Sequence, residues 1–452
     1  MANPYKILKL TIAVSTILLG TTSAGAINGS WRGDLDMGFS SLPLVFNFSD
    51  KGDSTTCTLD SPNQNVYGLP LTVDYVSTDS VAVTAGSIGA TFTGKVTTNE
   101  IKGTFSQRGY KFPLILKPEI PLSERRPQTP QPPFPYQAVD TTFYSVDGTA
   151  LCGTLTFPSD FDKGKTPICV FVTGSGPQNR DEELFEHKPF AVISDFLARN
   201  GVATFRFDDR GTGESKGDFA AATIGTFRDD AKAALSFART FTNGSCGIIG
   251  HSEGGTLALM LAQEGLPDFV VSLAGMAISG KETILAQNKR LMERMGFDKT
   301  SIDNSMTLIN VVFDEIIRQN KDRESAPIDI DVIASSLGVS VPPAIMQNIK
   351  SNVTNATPYF ASMLTTDVRK GMSKISCPVL ALNGSLDTQV SANDNLDAIS
   401  NGIVTATVVM LPGLNHLFQH AATGEMEEYA QIKETISPEV LSAILSYIRN
   451  LK

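Results

Sequence analysis

From residue 168 onward, short apolar runs alternate with longer amphipathic stretches. Strands that are buried on both faces appear in a sequence as nearly continuous apolar runs, so this alternation predicts a parallel sheet with helices on both faces. A preceding pair of runs over residues 143–158 predicts a hairpin with Asp147-Gly148 at its turn. The predicted strands are ICVFVTG (168–174), VATFRFD (202–208), CGIIGH (246–251), FVVSLAG (269–275), PVLALNG (378–384) and ATVVMLP (406–412). The helical patterns between and after them are Phe190–Arg199, Phe227–Thr240, Thr256–Gln263 and Pro438–Asn450.

One connection is much longer than a crossover helix requires. About a hundred residues separate Gly275 from Pro378, and their pattern is mostly helical, including Lys281–Met295 and Ile302–Asn320. We therefore expect an inserted helical cap at about residues 277–370, over the carboxyl edge of the sheet where ligands bind in open α/β folds.

The amino-terminal part of the chain follows a different pattern. Residues 27–117 consist of short alternating segments separated by Gly, Asn, Asp and Ser, which predicts an antiparallel meander forming a small barrel or curved sheet. Trp31, the only tryptophan, is expected to fill its core. Residues 118–137 contain seven prolines and predict a stiff, extended linker to a catalytic domain over residues 138–452.

Residues 1–26 have the pattern of a secretory signal peptide. Lys6 and Lys9 precede an apolar stretch over residues 10–19, which is too short to span a membrane, and small residues end at Ala26. The sequence therefore predicts cleavage after Ala26, export to a periplasm or the outside, and no integral membrane segment afterwards.

The formal net charge of the chain is −10, and removal of the two lysines with the leader would make it −12. Such an acidic protein is a poor partner for nucleic acid or an anionic membrane. The five cysteines are scattered and their spacing fits neither a disulfide framework nor a zinc site. Four of them are expected to be small buried hydrophobic residues. These four are Cys152, Cys169, Cys246 and Cys377.

The stretch over residues 246–262 predicts a strand, a sharp turn and a helix. At the turn, residues 250–254 (GHSEG) fit G-x-S-x-G, the nucleophile elbow, in which side chains at the glycine positions would clash with neighbouring backbone. A second match over residues 213–217 lies in a polar run with no helix directly after it. We therefore interpret Ser252 as the nucleophile and Ser215 as a loop serine.

An attacking serine needs a general base, and the chain has four histidines. His416 follows the last predicted strand and so lies at the same sheet edge as the elbow. His420, four residues later, is its competitor. His251 lies inside the elbow and is expected to point away from the serine, and His187 precedes the nucleophile in the chain.

The orienting acid is expected to be Asp387, which follows the strand over residues 378–384. Its carboxylate would accept the imidazole N–H and fix the tautomer of the base. Asp394 and Asp397 fit less well because they belong to the following helical pattern. The resulting order along the chain is serine, aspartate, histidine, with each residue just after a strand.

The oxyanion hole is expected to combine two backbone N–H groups. One is that of Glu253, directly after the nucleophile, and the other is that of Ser175, in the small-residue loop over residues 173–181. No G-K-[ST] follows this loop, which disfavours nucleotide binding.

Five segments, TGSGPQNRDE, DDRGTGESKGDF, GHSEGG, NGSLD and PGLNH, together resemble the α/β-hydrolase superfamily. They are most similar to secreted bacterial esterases and hydrolases related to dienelactone hydrolases and serine aminopeptidases, over residues 142–451. The resemblance implies an α/β-hydrolase fold, and it implies that Ser215 lies in a structural loop and is not the nucleophile. The oxyanion loop of that family usually starts His-Gly, whereas here it starts Thr173-Gly174. Residues 27–117 are similar to a small β-domain often fused ahead of such hydrolases.

Together these features predict a secreted serine hydrolase, a carboxylesterase that cleaves small acyl esters through an acyl-enzyme. A serine peptidase or aminopeptidase with the same triad is the alternative, since the residues alone do not separate the two. A protein that binds a glycan or a surface through residues 27–117 is a third, less favoured hypothesis. The expected partner is a small ester or acylated molecule, and no metal or organic cofactor is implied.

Overall fold

The computed structural model describes residues 27–36, 41–50, 54–64, 66–322, 327–354 and 357–451. The predicted signal peptide lies outside the described residues. The chain divides into two compact units between Ile120 and Pro121. Within the ranges given above, no helix combines the length and apolar character needed to cross a membrane.

The first unit is a closed barrel of eight antiparallel strands, which confirms the predicted β-domain. Its strands are β1 (Gly29–Asp36), β2 (Ser41–Asp50), β3 (Thr55–Ser61), β4 (Val66–Val76), β5 (Ser80–Ala85), β6 (Ala90–Val96), β7 (Ile101–Gln107) and β8 (Tyr110–Pro118). Strand β1 also pairs with β8 and closes the barrel. Trp31 is buried in the core, and its indole N–H donates to the Ile27 carbonyl at 2.8 Å.

The second unit is built on one eight-stranded sheet with the order β16-β15-β14-β13-β11-β12-β10-β9. Its strands are β9 (Gln137–Tyr144), β10 (Ala150–Phe157), β11 (Ile168–Val172), β12 (Ala203–Phe207), β13 (Cys246–His251), β14 (Val270–Leu273), β15 (Val379–Gly384) and β16 (Ala406–Leu411). Strands β11 to β16 are parallel, and the hairpin β9–β10 adds an antiparallel edge. The six predicted parallel strands and the leading hairpin are all present.

Helices cover both faces of this sheet because both faces are apolar. Along β13, Ile248 belongs to the core on one face and Ile249 to the core on the other. The first core includes side chains of α3 (Ile224–Arg239), α4 (Glu253–Gln263) and α10 (Ala392–Gly402). The second includes side chains of α2 (Pro189–Arg199) and α11 (Pro438–Asn450).

The long connection between β14 and β15 forms the predicted helical cap. Its helices are α5 (Gly280–Arg294), α6 (Lys299–Asp322), α7 (Ile330–Leu337), α8 (Pro343–Thr354) and α9 (Pro358–Thr365). They enclose an apolar core of their own, in which Leu308 and Val312 are almost fully buried. Helix α5 begins with a capping box between Ser279 and Glu282, which satisfies its first amide groups and fixes where the cap leaves the sheet.

The proline-rich segment, predicted as a stiff, extended linker over residues 118–137, is divided between the two units. From Pro121 onward it belongs to the second unit, with a four-residue helix α1 (Leu122–Arg125), and β9 already begins at Gln137. Arg126 is 2% exposed, and its guanidinium donates to the carbonyl oxygens of Phe185 and Ala430. Proline content predicts an extended chain, but it does not reveal that one arginine anchors that chain to distant backbone.

Candidate active site

Ser252 lies at the carboxyl end of β13 in a strained backbone conformation, with φ 50° and ψ −117°. A Cβ at Gly250 would lie 2.1 Å from the carbonyl oxygen of Gly254, and one at Gly254 would lie 2.0 Å from that of Val172. Only glycine therefore fits at either position. The two glycines pack directly against neighbouring backbone, and this packing holds the turn in its strained conformation. The turn places Ser252 directly before α4.

The loop after β11 meets the elbow at the point where the chain changes direction across the sheet. From β11 the chain passes to β12 on one side and then returns to β13 on the other side. Ligands bind at such a switch point in open α/β sheets. A Cβ at Gly174 would lie only 3.3 Å from the Cβ of Ser252, so the predicted oxyanion loop lies beside the predicted nucleophile.

Asp387 and His416, which follow β15 and β16, are hydrogen-bonded to each other. The Nδ1 atom of His416 lies 2.7 Å from Oδ2 of Asp387, and the aspartate side chain is inaccessible to solvent. Its other oxygen accepts the amides of Gln389 and Val390 at 2.8 Å. These bonds fix the carboxylate, which favours the tautomer with the proton on Nδ1 and an unprotonated Nε2.

The other two candidate bases are bound elsewhere. His420 is largely exposed, and its ring contacts Glu434 at 2.9 Å. His187 is buried between the Thr435 hydroxyl and the Tyr429 carbonyl, and burial lowers its pKa to about 4. Neither makes a contact with Asp387 among the described residues.

Ser215, in the second sequence match, has both of its hydrogen-bonding roles filled by backbone. Its hydroxyl donates to the carbonyl of Asp208 at 2.8 Å and accepts the amide of Cys152 at 2.9 Å. The hydroxyl thus joins two loops, and this supports its interpretation as a structural serine.

Glu182 connects three parts of the site through one carboxylate oxygen. Its Oε1 accepts the amide of Gly174 at 2.6 Å and contacts Nδ1 of His251 at 3.0 Å. The Nε2 atom of His251 lies 3.0 Å from the carbonyl oxygen of His416. Both neighbours of the ring carry acceptor oxygens, and the imidazolium form can donate to both of them. Burial alone would lower the pKa of His251, but the Glu182 carboxylate outweighs it and the pKa is raised.

A second buried acid, Asp209, holds the same loop. It accepts the hydroxyl of Thr173 at 2.8 Å and the amide of Gln178 at 2.9 Å. Burial raises the pKa of Asp209 well above its ordinary value. Thr173 therefore braces the predicted oxyanion loop through its own side chain.

Glu253, the first residue of α4, links the elbow to the cap. It is 3% exposed, and its Oε2 accepts the hydroxyls of Ser175, at 3.3 Å, and of Tyr359 on α9. Burial raises the pKa of Glu253 to about 7, against the lowering effect of these two bonds. Its backbone amide is the first N–H of the helix and has no intrahelical acceptor. Among the described residues, no acceptor engages the Ser175 amide either.

A cavity of about 500 Å³ opens above the elbow. Ser252, His416 and Ser175 all line it, together with side chains of the cap such as Tyr359 and Met363. The structure thus brings the predicted nucleophile, base and oxyanion loop to one cavity, with Asp387 behind the base. In the part of the chain that the structure describes, no cluster of His, Cys, Asp and Glu could hold a metal ion, and all five cysteines are free thiols.

Four residues of this site have roles that the sequence did not reveal. They are Glu182, Asp209, His251 and Tyr359. Glu182 and Asp209 lie in the TGSGPQNRDE and DDRGTGESKGDF segments. These motifs indicate the family resemblance, but they do not indicate which residues the two acids contact. Nothing in the local sequence distinguishes Tyr359 from other aromatic residues of the cap.

Residues 187–420 match the family described as serine aminopeptidase, S33. Esterase EstD of Thermotoga maritima is 24% identical over 272 residues, which cover 59% of this chain and 58% of the esterase. The mouse mitochondrial palmitoyl-protein thioesterase ABHD10 is 32% identical over 115 residues, which cover 25% of this chain and 35% of the thioesterase. The chain therefore spans less than two thirds of the length of either relative. The structure of Est1E from Butyrivibrio proteoclasticus with ferulic acid bound aligns over 69% of this chain and 99% of its own, with 18% identity and a TM-score of 0.42.

The raised pKa of Glu253 predicts a pH-dependent cost to stability. Between its ordinary pKa of 4.5 and its folded pKa of about 7, the unfolded chain releases a proton that the folded chain retains, so the folded state is progressively disfavoured. Relative to Glu253→Gln, the wild-type free energy of unfolding should fall by about 3 kcal/mol as the pH rises through this window and then stay level. Urea denaturation at a series of pH values measures the difference. Glu124→Gln, at an exposed site, should follow the wild type, and a pH-independent difference for Glu253→Gln would contradict the prediction.

Proposed function

The chain belongs to the serine aminopeptidase S33 family of α/β-hydrolases, and from that premise we propose that it is a serine hydrolase that cleaves carboxylic esters. Ser252 is the nucleophile, His416 the base and Asp387 the acid that orients it. The observation that carries the proposal is the 2.7 Å contact between His416 and Asp387 at a cavity that Ser252 also lines. The strained turn at Ser252 supports it, since such strain occurs where a side chain must be presented to a reactant.

The reaction follows from these positions. Ser252 Oγ attacks the acyl carbon while Nε2 of His416 takes its proton, and the resulting oxyanion accepts the amides of Glu253 and Ser175. Collapse of this intermediate breaks the ester bond, and His416 returns the proton to the departing alcohol. Water then attacks the acyl-enzyme with the same assistance, releasing the acid and restoring the serine.

The lining of the cavity favours esters over peptides with a free amino terminus. An aminopeptidase substrate presents an ammonium group, which needs an anionic partner when it is taken out of water. Among the described residues that line the catalytic cavity, Glu182 is the only acid. Its Oε1 binds Gly174 and His251, and its Oε2 is buried and makes no hydrogen bond. The names of the esterase and thioesterase relatives are consistent with an ester substrate.

Covalent labelling tests the nucleophile. A fluorophosphonate probe should label the wild type and Ser215→Ala, but not Ser252→Ala, because Ser252, unlike Ser215, lines the cavity that His416 lines. Asp387→Asn should keep its fold and lose kcat on the order of 10⁴-fold, since the ring is then held in the wrong tautomer. Undiminished labelling of Ser252→Ala would contradict the assignment of the nucleophile, and absence of labelling in the wild type would favour the binding-protein hypothesis.

Side-by-side turnover separates the esterase from the peptidase. We expect p-nitrophenyl acetate to be hydrolysed with a higher kcat/KM than any aminoacyl p-nitroanilide, because Glu182, the only acid among the described residues that line the cavity, is already paired with His251. Ser252→Ala is the control for spontaneous hydrolysis of the ester. A clear preference for the anilides would make the protein a peptidase with the same triad.

We also propose that the protein is exported, on the basis of the basic, apolar and small residues that follow one another over residues 1–26. Amino-terminal sequencing of the protein recovered outside the cytoplasm should begin at Ile27. Ala26→Arg should block cleavage and leave the longer chain in the membrane or the cytoplasm. Recovery of the uncleaved wild type in the cytoplasm would overturn the proposal.

A further inference from the structure

The cap contains a second cavity of about 390 Å³, separate from the one above the elbow. Nine of its thirteen lining side chains are apolar or aromatic, and the other four are neutral amides or a hydroxyl. Its volume falls within the range of cavities that bind small molecules. A cavity with this lining favours an uncharged apolar group and gives no partner to an ammonium or a carboxylate.

This cap cavity adjoins the catalytic cavity. Ile284, Tyr359 and Phe360 line both of them. The Tyr359 hydroxyl is bound to Glu253, so its ring is held at the boundary by the residue next to the nucleophile. These three side chains therefore form the boundary that the two cavities share.

The position of the base indicates which end of a substrate enters the cap. His416 must protonate the leaving alcohol, so the alcohol lies on the side of the His416 and Asp387 loops. Gln389, Leu417 and Met426 from this side line the catalytic cavity, but no described residue of these loops lines the cap cavity. Tyr359 instead reaches the oxyanion side through Glu253. The acyl group, which points away from the base, is the part that faces the cap.

We propose that the cap cavity binds the apolar chain of the acyl group, so that the preferred substrates are esters with uncharged, apolar acyl chains longer than acetyl. The proposal rests on the esterase function above and names its substrate class. Burying one CH₂ group contributes about 0.8 kcal/mol, which corresponds to a gain of about fourfold in kcat/KM. The gain should continue with each added carbon until the cavity is full.

The test is a chain-length profile with p-nitrophenyl esters from acetate to dodecanoate. For the wild type, kcat/KM should rise by up to about fourfold per added CH₂ and then level off or fall. Val353→Phe places a ring in the wall of the cap cavity and should lower the ratio of decanoate to acetate turnover at least tenfold. Val332→Phe is the matched control, because Val332 lies exposed on another cap helix, outside the cavity lining, and should keep the wild-type profile.

Two further measurements keep the outcome interpretable. Phe313→Leu enlarges the same cavity and should move the optimum to longer chains, which a merely unstable variant would not do. Alkyl acetates of increasing alcohol length should show no comparable rise. If acetate is hydrolysed but kcat/KM does not change with acyl-chain length, the acyl-chain inference is wrong and the esterase function stands. The same holds if kcat/KM rises only with the alcohol length of the alkyl acetates. If the wild type neither hydrolyses any of these esters nor reacts with the fluorophosphonate probe, the proposed function is wrong as well.

Discussion

The site depends on one buried carboxylate. Oε1 of Glu182 accepts the Gly174 amide of the predicted oxyanion loop and contacts the ring of His251, which in turn bonds the backbone carbonyl of His416. Three loops from three different strand ends are therefore positioned relative to one another by a single acid. Because this acid and its partners are buried, the arrangement is held in a medium where each hydrogen bond is costly to break.

The elbow supplies a second constraint, because its backbone packs so closely that no side chain fits at its glycine positions. Val172 on β11 and the first turn of α4 approach so closely that Gly254 has no room for a Cβ. This contact keeps the amide of Glu253 near the oxyanion loop, and the buried side chain of the same residue reaches Tyr359 on the cap. One short segment thus connects the sheet, the oxyanion loop and the cap.

The fold could be predicted because its signals are local. Apolar runs marked all six parallel strands, and the length of the insertion marked the cap. Asp387 and His416 were found because each follows a strand; the structure joins them, and their catalytic roles stay predictions. The contacts of Glu182 with His251 and of Tyr359 with Glu253 span 69 and 106 residues of sequence. Such pairings are created by the packing of the finished fold, so no spacing rule could indicate them.

The attachment of the proline-rich segment to the second unit determines where the barrel and the hydrolase unit can be separated by recombination. The natural division lies between Ile120 and Pro121, because Arg126 beyond it is buried against the backbone of Phe185 and Ala430. Recombination that exchanged or removed the barrel at this point would leave the hydrolase whole. A break after the prolines would take the arginine with the barrel and leave buried carbonyl groups without a donor, so the segment is structurally part of the second unit rather than of the barrel.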